Sequence, residues 1–68
     1  MYIIQEIQTS GATSSLLPAI TKMDRDEAES TWHSIMASAA ISAVPVHTVI
    51  LYDEHGNIIQ RGFYEHTA

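Results

Sequence analysis

Hydrophobic positions follow two rhythms along this chain. From Met1 to Thr9 they alternate, placing Ile3 and Ile7 on one face of a strand and Tyr2, Ile4 and Glu6 on the other. The small polar stretch Ser10 to Ser15, around Gly11, predicts a loop or hairpin turn. Leu16 to Lys22 predicts a second strand, and Pro18 favours a sheet edge for it because proline has no amide to donate. After Asp24 the period lengthens: Ala28, Trp32, Ile35, Met36 and Ala39 recur as the buried stripe of a helix. From Val46 to Tyr52 the period is two again. Val46, Thr48, Ile50 and Tyr52 share one face, and His47, Val49 and Leu51 share the other. Asp53 to Asn57 predicts a hairpin connection with Gly56 in the left-handed region. Ile58 to Tyr64 predicts the last strand, and Glu65 to Ala68 a frayed tail.

The ends of the helix are written in polar residues. Asp24 is placed to accept from the amide of Glu27, with Glu27 reaching back, and Asp26, Glu27 and Glu29 suit the positive end of the helix dipole. Pro45 is expected to end the helix and to push Val44 into extended geometry. The elements predict a single α+β domain over residues 1–68, of order ββαββ, with one helix packed on a four-stranded antiparallel sheet.

Two features predict a homo-oligomer. The strand from Val46 to Tyr52 is apolar on both faces, more than one helix can cover. The back of the helix carries Ala37, Ala40 and Ile41 where charged residues are usual. Size points the same way, because a chain of 68 residues buries only about 60% of its unfolded surface and gains from a partner subunit.

Composition removes several function classes. There are no cysteines, so neither disulfides nor thiolate metal sites are available. Three basic against eight acidic residues give a net charge of −5, which disfavours DNA or RNA binding through phosphates. The apolar run from Ile35 to Leu51 is interrupted by Pro45, His47 and serines, and falls short of the roughly 20 residues that span a membrane. With no signal-peptide pattern either, the expectation is a soluble protein of the cytoplasm with no membrane partner.

Candidate chemistry is sparse. The four histidines, His33, His47, His55 and His66, lack zinc-ligand spacing, although His33 and His47 could meet in the fold. No nucleophile elbow or glycine-rich phosphate cradle occurs, and the acidic residues near Asp24 are accounted for by capping. These observations predict no enzyme, no catalytic residues, no metal and no cofactor. Cation, ring and imidazole side chains nevertheless make a kit for a flat anionic molecule. Arg61, Tyr64, His33 and His47 are the candidate ligand-binding residues; Trp32 and Phe63 have a competing role in the core.

Several segments together resemble one family. They are Ile4-Gln5-Glu6-Ile7-Gln8-Thr9, Asp24-Arg25-Asp26-Glu27-Ala28-Glu29-Ser30, His33-Ser34-Ile35, Ser42-Ala43-Val44-Pro45-Val46-His47, Asp53-Glu54, Gly56-Asn57 and Tyr64-Glu65-His66. In order, and over most of the chain, they resemble small, functionally unassigned proteins encoded by phages and prophages of gut-associated Gram-positive bacteria. Thr31-Trp32-His33 stands where such relatives carry Lys-Tyr-His, which keeps an aromatic residue at the centre. The resemblance implies a phage accessory protein in the host cytoplasm and supplies no catalytic residues. The reading that follows is antagonism of host defence by an oligomer that sequesters a small nucleotide-like signal. The alternatives are a minor virion or assembly protein, or an inhibitor that meets a host defence protein through its acidic and apolar surfaces.

Overall fold

The computed structural model describes residues 1–66. Its elements are β1 (Tyr2–Ser10), β2 (Thr13–Leu16), β3 (Ile20–Lys22), α1 (Arg25–Ala40), β4 (Val46–Asp53) and β5 (Ile58–Glu65). All strand pairs are antiparallel, in the order β2-β1-β4-β5, with β3 also paired to β1. The α+β class and the single helix on an antiparallel sheet are as the sequence predicts. The sheet has five strands rather than four, because the expected strand Leu16 to Lys22 is broken at its proline.

β2 pairs with the second half of β1 and β3 with its first half, so together they form one interrupted edge. Pro18 lies in the gap. Gln5 bridges it, donating its side-chain amide to the carbonyl of Leu17 at 2.6 Å. β2 also begins earlier than predicted, at Thr13 inside the expected loop, because Gly11 at φ 61° makes the turn compact.

Asp24 caps α1 as predicted, its carboxylate accepting from the Glu27 amide at 3.2 Å. Glu27 makes no return bond, so only half of the capping box forms. The helix ends at Ala40, well before Pro45, and its C-terminal carbonyl at Ala39 accepts from the ring Nε2 of His66 at 2.8 Å. The backbone amide of His66 bonds Pro45 at 2.8 Å. The frayed tail expected from Glu65 onward is thus corrected: Glu65 closes β5 and His66 ties the chain back to the helix. Thr67 and Ala68 lie outside the described residues.

α1 covers one face of the sheet. Ala28 and Trp32 pack on Ile4, Val49 and Leu51, with Tyr2, Ile35, Met36 and Ile59 around them. Trp32 is fixed twice: its indole Nε1 donates to the Val49 carbonyl at 3.1 Å, and its ring lies over Gly62. Among the described residues, no element covers the opposite face of the sheet. Ile3, Ile7, Ile50 and Tyr52 are half-buried there, and Phe63 is 67% exposed.

Candidate functional site

The alternation that buries Val49 and Leu51 beneath α1 also buries His47, which is only 2% exposed. Its Nδ1 lies 2.6 Å from Oε2 of Glu6 on the adjacent strand β1. Gln8, directly opposite His47, donates its amide to the same oxygen at 3.3 Å. A carboxylate oxygen accepts, so Nδ1 carries a proton. Nε2 of the ring is buried and without a hydrogen-bond partner. Leaving such a group unmatched costs about 1–3 kcal/mol.

One wall of α1 stands over this pair. Ser34, Ile35, Ser38 and Ala39 line, with Glu6 and His47, an open hollow of ≈ 450 Å³. No lysine or arginine lines it. A carboxylate behind an imidazole is the arrangement that orients a general base towards a serine nucleophile. Here no serine hydroxyl hydrogen-bonds to Nε2. Nor does any group of three metal-ligating side chains converge among the described residues. What remains is an open hollow lined by both polar and apolar side chains, with the buried, unpartnered ring nitrogen of His47 beneath the surface beside it.

A second hollow, of ≈ 490 Å³, is lined by Thr48, Arg61, Gly62 and Phe63. Arg61 pairs with Ile50 and Phe63 with Thr48, which sets both side chains on the uncovered face of the sheet. The four residues predicted from sequence are therefore divided. His47 and Tyr64 are cross-strand partners on the helix-bearing face, and Tyr64 stacks at a tilt on His66, with ring centres 5.0 Å apart. His33 is exposed on α1, edge-on to Trp32 at 4.9 Å. Arg61 lies across the sheet from all three.

Comparison with family models, curated proteins and solved structures finds no match.

Three contributors to these sites escape a reading of the sequence. Glu6 sits 41 positions from His47, and no local pattern announces their pairing. Ser34 and Ser38 look like tolerated surface residues until the strand beneath them is known. The expected grouping of Tyr64 with Arg61 and the core role for Phe63 are corrected: alternation along β5 sets the exposed Phe63 beside Arg61 and sends Tyr64 to the other face.

Proposed function

We propose that the protein acts by binding, as a non-enzymatic phage accessory protein that antagonises host defence. A second copy covers the open sheet face, and the pair sequesters a small nucleotide-like signal between them. The observation that carries this reading is the uncovered apolar face of β1, β4 and β5 opposite α1. These three strands, about 4.8 Å apart and about 27 Å long, present about 400 Å² per copy and the interrupted β2–β3 edge adds about 100 Å², so a pair buries about 1,000 Å² before side-chain relief is counted. That reaches the lower bound of a specific interface, about 1,000 Å² in total. Arg61 supplies positive charge on this face beside the ring of Phe63, the combination that grips a planar anion. The phage setting rests on the sequence resemblance.

Native mass spectrometry of protein taken from cells with an active nucleotide-signalling defence tests the reading. The expected spectrum is a dimer with an added mass that disappears on denaturation. Arg61→Ala should keep the dimer and lose the added mass. Ile50→Lys, which buries a charge in the interface, should give a monomer with an unchanged circular-dichroism spectrum. A wild-type monomer would sink the proposal, and a dimer with no added mass would remove its ligand.

A further inference from the structure

The backbone of β5 has two sides, and only one of them is occupied. The amide of His66 points at the neighbouring strand, bonding the carbonyl of Pro45 at 2.8 Å. Antiparallel strands alternate hydrogen-bonded and non-hydrogen-bonded pairs, so Tyr64, Gly62 and Gln60 also turn their backbone groups towards β4. The amides and carbonyls of Arg61, Phe63 and Glu65 therefore point outwards at the end of the sheet, without a backbone partner among the described residues. No proline interrupts this stretch.

We propose that this edge pairs with the same edge of a second copy, antiparallel about a two-fold axis at Phe63. In that register Phe63 faces Phe63 of the second copy, Arg61 faces its Glu65, and Glu65 faces its Arg61. All three pairs join outward-turned residues and each exchanges two hydrogen bonds, so every outward amide and carbonyl from Arg61 to Glu65 is used. Charge selects the register, because opposite charges directly across two strands attract. The two neighbouring registers that keep outward groups face to face set Phe63 opposite Arg61 or opposite Glu65, and both lose the two ion pairs. Side chains agree with the same choice. Phe63, 67% exposed, meets its own copy at the axis. Tyr64, 40% exposed, comes opposite Gly62 of the second copy on the helix-bearing face, where glycine puts no side chain in its way. The contact uses a different surface from the open face and forms with or without stacking there. A single strand edge buries less than the roughly 1,200 Å² of stable complexes, which makes this a weak contact.

An isotope-filtered NOE spectrum on a mixture of labelled and unlabelled full chain, at about 1 mM to populate a weak contact, reads the register directly. The expected result is an intermolecular cross-peak between the Hα protons of Gly62 and Tyr64, a non-hydrogen-bonded pair with Cα atoms about 4.5 Å apart. Stacking of open faces holds two sheets about 10 Å apart and gives no such peak. Glu65→Lys, at an exposed position, sets a cation opposite Arg61 in both symmetric pairs. It should weaken the contact by about tenfold or more and remove the peak. Adding Arg61→Glu, also at an exposed position, restores opposite charges and should bring the peak back. Four results would overturn the proposal: no Gly62–Tyr64 peak in the wild-type chain, a peak between two Gly62 or two Tyr64 protons instead, an undiminished peak in Glu65→Lys, or no peak in the double variant.

Discussion

Gly62 shows how much of this fold turns on a single side chain being absent. A Cβ built there would lie 2.8 Å from Cζ2 of Trp32 and 3.2 Å from Cη2, both on a rigid indole. The indole cannot slide away without giving up its bond to Val49. Gly62→Ala should therefore destabilise the protein by about 1–3 kcal/mol, an overpacking cost readable from the midpoint of urea unfolding. An unchanged midpoint would mean that Trp32 is not held where it is described. At this scale sequence reading was uneven. The stripe Ala28, Trp32, Ile35, Met36 and Ala39 was legible because burial follows the helical period. The need for glycine opposite Trp32 was not, because it depends on a contact between residues 30 positions apart in the chain. The same holds for Glu6 and His47, whose neighbourhood is created only by the register of β1 on β4.

Among the elements, the turn between β4 and β5 is the most self-contained. The Asp53 carboxylate accepts from the amides of His55 and Asn57, each at 2.9 Å, and from the side chain of Asn57 at 3.1 Å. The backbone bond from Asn57, then the side-chain bond from the same residue, hold its pKa below the usual carboxylate value. Since the folded value is the lower one, the turn's contribution is complete above the ordinary carboxylate range and is lost as pH falls through the folded value. The amide resonances of His55 and Asn57 should move together with the Asp53 carboxyl in an acid titration, at a lower pH than the aspartate of an unstructured peptide. A midpoint equal to that of the peptide would contradict this bonding. This hairpin was legible in the sequence, including the left-handed Gly56 at φ 84°, because every part of it is local. The edge strand was less so. Pro18 was read as a mark of an edge, but the break it makes depends on Gln5 satisfying the carbonyl of Leu17 from the neighbouring strand.

For the molecule as a whole, one helix over one face leaves a small core: Ile4, Ala28, Trp32, Ala39, Val49 and Leu51 are its buried apolar residues. If a second copy covers the open face, folding and association are linked, and the melting temperature should rise with protein concentration. Calorimetry across a hundredfold range of concentration checks this; a constant melting temperature would mean that the single chain carries its own stability. The two lateral margins of the sheet have unequal prospects. β5 ends the sheet as eight residues without proline; its register slips by one at Ile59, and from Gln60 to Glu65 its outer edge is open to pairing. The opposite margin is split into strands of four and three residues around Pro18. A strand added at β5 could not be followed by another at the far side, so strand-by-strand growth into a fibril has a starting point but no means of propagation. The proline that interrupts one short strand thus limits any such assembly to a closed pair.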